Sequence, residues 1–190
     1  MERPHWQYYL TVVDDLVTLS RYVEITPSNY GTHSVELVRL LLTVGSEIDV
    51  VAKVLCQSVR SDTPVRNIDD YRDMLVKAFP GLPKVEVSMP KFGLTFSPWA
   101  EWEAGMNPSW WRKYNDVKHE RNVCFADANL ENTLLASAGL CVLVCHLYHE
   151  YFATKVIMRP VLFLDAKHIS GGHLLCGNMY RLPDYPNSVG

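Results

Sequence analysis

Apolar residues recur in steps of three and four along most of this 190-residue chain, and Pro, Gly, Asn and Ser collect in the intervals between. Trp6, Tyr9, Leu10, Val13, Leu16 and Val17 form the first such stretch and predict an amphipathic helix over about 5–23. Its aromatic and β-branched residues (Tyr8, Tyr9, Val12, Val13) pull the other way, toward extended structure. The turn formers of 26–31 separate it from the clearest helix of the chain, predicted over 32–60. There Val38, Leu41, Gly45, Ile48, Ala52, Leu55 and Val59 alternate steps of three and four over three heptads. Gly45 and Ala52 on that seam predict close approach of a second helix, and Asp49 with Lys53 predicts an i,i+4 ion pair on an outer face.

Asn67 is placed to cap a short helix over 68–79, with Asp69 and Asp70 in its first turn and Pro80-Gly81 at its end. Those two carboxylates resemble a catalytic or metal pair, but a helix N-terminus attracts acidic residues for electrostatic reasons alone. Between 84 and 96 the period changes to two, with Val85, Val87 and Met89 alternating against Glu86 and Ser88. This predicts a short β-hairpin around Pro90-Lys91-Phe92-Gly93, or an extended lid, covering the start of the helix that follows. A last helix is predicted over about 127–152, capped by Asp127 and apolar on nearly every side, as suits the centre of a bundle. Its hydrophobic run, 133–147, is shorter than the ~20 residues that span a bilayer, so no membrane partner is expected. From 159 onward the chain reads as extended, with a second β element and a Pro- and Asn-rich tail.

The elements add up to a mainly α protein: a single domain over 1–190, with a helical core at about 20–152 and an extended C-terminal addition at 159–190. With 48% hydrophobic residues the chain can bury a sizeable core. A net charge of −3 supplies no general basic field, so any nucleic-acid contact must come from a local patch or a groove between subunits. Five cysteines without a CxxC pair, and no secretory leader at the start, predict free thiols and a cytoplasmic protein. The group Cys141, Cys145, His146 and His149 looks at first like a metal site, yet cysteine is a common core residue and one helix supplies too few ligands; no metal is expected. His33 likewise has no second ligand nearby and is expected on the surface.

Candidate chemistry concentrates in 108–125, PSWWRKYNDVKHERNVCF. Pro108 suits a helix start, where a missing N–H costs nothing, and neither Gly nor Pro follows it in the segment. At ~100° per residue Arg112, Asn115, Asp116 and His119 share one arc, while Trp110, Tyr114, Val117 and Arg121 lie opposite. A guanidinium fork binds a phosphodiester through paired charge-assisted hydrogen bonds, and an imidazole gives or takes a proton near neutrality. Asn115, between them, can orient either group. The same residues also make an ordinary solvated face with Arg112 paired to Asp116. The tryptophans Trp99, Trp102, Trp110 and Trp111 can stack on bases, although such clusters serve more often as core.

The run WW-x-x-YN-x-x-KH-x-R, carried by Trp110, Trp111, Tyr114, Asn115, Lys118, His119 and Arg121, resembles a signature of bacterial proteins in the HEPN superfamily. By helix order the resemblance spans about 20–150. It implies a HEPN-like bundle of about five helices with one or two small β-hairpin additions, frequently dimeric. In active members it implies a metal-independent RNase carrying Arg-x(4–6)-His near the end of a bundle helix. Arg112 and His119, with six residues between them, fit that spacing, while Lys113 stands where active members place a small polar residue. On this resemblance Arg112, Asn115 and His119 are the catalytic candidates, and Lys118, Arg121 and Asp116 the RNA-contacting ones. No cofactor is expected; the expected partners are a second copy of the chain, RNA or another protein, and bacterial defence is implied by the resemblance alone. Three readings stay open: an endoribonuclease that uses the RNA's own 2′-hydroxyl, a silent bundle that binds RNA or a partner, and a scaffold in which Lys118, His119 and Arg121 are structural.

Overall fold

The computed structural model describes residues 3–154 and 165–167. The chain is mainly helical: α1 (Pro4–Leu19), α2 (Val35–Val59), α3 (Ile68–Ala78), α4 (Ser109–Cys124), α5 (Leu130–Leu147) and α6 (His149–Thr154). A small sheet of β1 (Glu86–Met89), β2 (Leu94–Phe96) and β3 (Asp165–Lys167) is added, in the order β2-β1-β3 with both pairs antiparallel. Gly93 makes the hairpin turn with φ +64°, a left-handed conformation that glycine adopts without a Cβ penalty. The segments read as a second β element, 161–164, 174–176 and 179–182, lie outside the described residues; β3 falls between the first two of them.

α2 and α5 pack against one another at the centre, and α1 and α4 each pack on both, while α3 lies on α2. α5 is long and apolar enough to cross a membrane, with a mean hydropathy of 1.5, but 78% of it is buried inside the bundle. A helix that is apolar all round is stable only where every side is covered, and this one is covered by three helices. Local chemistry sets the helix starts. Ser34 Oγ accepts from the Leu37 N–H at 3.2 Å, and Asn67 Oδ1 accepts from the N–H groups of Asp69 and Asp70 at 2.9 and 3.1 Å. The expected Asp49–Lys53 pair forms, and the second Asp49 oxygen accepts from the Tyr71 hydroxyl at 2.8 Å, fastening α3 to α2.

Three boundaries differ from the sequence expectation. α1 stops at Leu19 rather than near 23, because the Ser20 hydroxyl donates to the Val17 carbonyl and the chain turns through short backbone bonds. α5 is capped by Asn129, whose Oδ1 accepts from the Asn132 N–H at 2.9 Å; Asp127 sits in a preceding 3₁₀ turn with its carboxylate on Lys113. The single helix expected to 152 is broken at Tyr148, where φ −111° and ψ +26° leave the helical region before α6 begins.

The Cys-His group of α5 is built into the core. Cys141, Cys145 and His146 are buried. His146 Nδ1 donates to the Val142 carbonyl at 2.8 Å, and His149 Nδ1 to the His146 carbonyl at 3.1 Å. Cys56, Cys124, Cys141 and Cys145 are free thiols. Among the described residues no three His, Cys, Asp or Glu converge as a metal site.

Burial lowers the His146 pKa to about 4. An unfolded chain takes up that proton near pH ~6.5. The folded state therefore binds fewer protons than the unfolded one between these values, and the stability contributed by neutral His146 is present above ~6.5 and lost as pH falls to about 4. The expected loss is on the order of 3 kcal/mol. His146→Gln is expected to flatten this part of the melting temperature–pH curve; an unchanged slope would show that other groups control it.

Candidate functional site

Pro108 precedes α4 and offers no side-chain cap, so the first N–H of the helix needs an acceptor from elsewhere. Glu101 supplies it. The residue lies in the 3₁₀ turn Ala100–Ala104, which ends in a left-handed Gly105, and its Oε2 accepts from the Ser109 N–H at 2.5 Å. A carboxylate there also suits the positive end of the helix dipole. Its other oxygen lies 3.7 Å from Arg112 Nη2. Glu101 is the residue that sequence reading misses; the available signal is a helix that starts after a proline with no local capping side chain.

Trp110, Tyr114 and Val117 pack as expected and Trp111 packs with them, whereas Arg121, expected on the same side, does not. Trp110, Trp111, Tyr114 and Val117 are at most 7% exposed, and the helix contacts both α2 and α5. Trp110 Nε1 donates to the Pro98 carbonyl at 2.7 Å and Trp99 Nε1 to the Gly139 carbonyl at 3.1 Å, so each indole is anchored as well as buried. Trp99 and Trp102 are at most 2% exposed, and no face of these four rings is open to a base. The aromatic cluster positions α4 and does not form a stacking platform.

α4 is kinked at Glu120, whose φ −132° and ψ +41° are not helical. The consequence is large. On a straight helix Lys113 and Asp127 would be ~21 Å apart, yet Lys113 Nζ donates to Asp127 Oδ2 at 3.1 Å, so the chain doubles back after the kink. The break also resets the helical phase. Arg121, which a constant ~100° per residue places on the packed side, is exposed and joins His119.

Lys118, His119, Arg121 and Asn122 line an open groove of about 450 Å³ whose remaining walls are Leu42 of α2, Val117 and Phe125. None of the lining residues is acidic. Lys118 Nζ lies 5.5 Å from the centre of the Tyr114 ring, and neither Lys118 nor Arg121 makes an ion pair among the described residues. Two cations, an imidazole and a carboxamide thus face the same space without a carboxylate to neutralise them, which makes the groove suited to an anion.

The other candidates lie outside the groove lining. Arg112 is 61% exposed and faces Glu101 rather than Asp116. Such an exposed pair is worth ~0–1 kcal/mol, so a phosphate can displace Glu101 at little cost. Asn115 Nδ2 donates to the Trp111 carbonyl at 3.0 Å, one turn back, leaving Oδ1 as an acceptor. Asp116 is exposed and makes no ion pair among the described residues. His33 is exposed as expected, and its ring meets Phe125 edge-on at 6.0 Å.

Comparison with protein-family models, with curated proteins and with solved structures finds no match for this chain.

Proposed function

We propose that this chain is an RNA-directed helical bundle of the HEPN type that cleaves RNA without metal. The observation that carries the reading is the convergence of His119 with Lys118, Arg121 and Asn122 in one groove free of carboxylates. Lys118 and Arg121 hold backbone phosphate. His119 takes the proton from a ribose 2′-hydroxyl as that oxygen attacks the adjacent phosphorus, and gives it to the departing 5′-oxygen. Asn115, through Oδ1, accepts from a ribose hydroxyl, and Arg112 leaves Glu101 to stabilise charge on the phosphate. The test is incubation with a mixed RNA in EDTA: cleavage supports the reading, and absence of cleavage by a protein that binds the RNA refutes the catalytic part.

A second reading, an RNA- or protein-binding bundle without catalysis, is favoured by one observation. Arg112 is turned to Glu101 and is not among the groove residues. Lys113, beside Arg112, points the same way.

The reading includes a homodimer in which two copies of α4 share a cleft, since one Arg–His pair supplies few groups for phosphoryl chemistry. Val123 supports it: an apolar residue 74% exposed on the segment that lines the groove. Light scattering is expected to give twice the 21.7 kDa of the single chain, and a monomer mass at micromolar concentration would refute it.

A further inference from the structure

The groove lining is of two chemical kinds. Lys118, His119 and Arg121 are basic or titratable, while Leu42, Val117 and the half-buried Phe125 are apolar, with Asn122 also on the lining. Phosphate binding accounts for the first kind only. A flat aromatic ring beside a carboxamide is the pairing that receives a nucleobase, the ring by stacking and the amide by hydrogen bonds to a base edge. Phe125 is held in place: it packs on the core, and the His33 ring meets it edge-on at 6.0 Å with an interplanar angle of 83°. At about 450 Å³ the groove falls within the ~300–1,000 Å³ of small-ligand clefts, and is no track for a helix.

We infer that Phe125 and Asn122 form a base pocket, so that the groove takes a nucleotide whose base is unpaired, from single-stranded RNA rather than duplex. In a duplex the base faces are covered by their neighbours, and only a splayed base reaches the Phe125 ring. This inference rests on the RNA-directed reading and adds specificity-determining residues to it. Neither Phe125 nor Asn122 is asked to take part in proton transfer, so their role is separable from that of His119.

The experiment measures binding of a short 2′-O-methyl oligonucleotide, which cannot be cleaved through its 2′-oxygen, as a single strand and as a blunt duplex. The wild type is expected to bind the single strand at least about tenfold more tightly. Phe125→Leu keeps the apolar volume and removes the π-face; it is expected to weaken single-strand binding roughly five- to hundredfold and leave duplex binding unchanged, with Phe125→Tyr restoring it. The Lys118→Gln/Arg121→Gln double variant is expected to weaken both and to flatten the salt dependence. Equal binding of single strand and duplex, or an unaffected Phe125→Leu variant, overturns the base pocket. The RNA-directed reading survives that result if the double variant still weakens binding. A wild type that binds neither form overturns both. Should Phe125→Leu fail to fold, Asn122→Ala decides: its side chain is exposed, its melting temperature is expected to stay at the wild-type value, and its preference among homopolymeric single strands is expected to shift. An unchanged preference counts against the pocket.

Discussion

Gly45→Ala is expected to destabilise the protein by roughly 1–3 kcal/mol, even though alanine is the better helix former by ~1 kcal/mol. A Cβ built on Gly45 falls closer than 3.0 Å to three carbons of the Tyr114 ring. That ring is 2% exposed and its centre lies 5.0 Å from that of Trp111, so it has no free space to retreat into. The clash outweighs the propensity gain, and a fall in melting temperature of several degrees follows for a chain of this size. Tyr114→Ala alone is expected to cost ~3–5 kcal/mol by leaving a cavity. In the double variant the new methyl group occupies the space of the missing ring, so the two effects are expected to sum to less than their separate costs. Strict additivity would mean that the two residues do not meet.

This contact also sets the geometry of the groove. Gly45 faces Tyr114, and Leu42 and Val117 line the groove together. Residue numbers fall along α2 as they rise along this part of α4, before the kink, so the two run antiparallel there. The Gly45 contact lies one turn from the groove wall. A glycine that lets α4 lie against α2 thereby fixes how far His119 stands from Leu42.

His119→Ala is expected to lower RNA cleavage ~10²–10⁴-fold, the usual loss when a general acid–base group is removed. The melting temperature is expected to remain at the wild-type value, because His119 is exposed and makes no hydrogen bond or ion pair among the described residues. Phosphate binding is expected to persist through Lys118 and Arg121, so the loss falls on turnover rather than on affinity. A variant that melts several degrees lower would instead make His119 structural.

Much of the fold is legible in the chain because long amphipathic segments repeat their period many times. The seam from Val38 to Val59 marks α2, Asn67 with its two following aspartates marks the start of α3, and the all-round apolarity of 130–147 marks the central helix. Trp110, Tyr114 and Val117 of α4 follow from spacing in the same way, and Gly45 on the α2 seam announces a close helix approach, though not that Tyr114 of α4 makes it. What fails is extrapolation through a break. Nothing in ERN announces that Glu120 leaves the helix, so Arg121 falls on the wrong side when the period is carried past it. Asn129 displaces Asp127 as the cap because Asp127 is drawn to Lys113 across the folded-back turn, a contact that depends on the kink. Glu101 is hidden for a related reason. It reaches Ser109 only after the turn at Gly105 brings the chain back, and helix periodicity carries no information about loops.

The measurement that tests the account most directly is the chemistry of the RNA ends released in EDTA by the wild type and by His119→Ala. Attack by the 2′-hydroxyl on the adjacent phosphorus leaves a 2′,3′-cyclic phosphate on one fragment and a 5′-hydroxyl on the other. The account predicts those ends from the wild type, their loss in His119→Ala, and no cleavage at positions carrying 2′-O-methyl. Fragments bearing a 5′-phosphate, or cleavage that persists undiminished in His119→Ala, would contradict it.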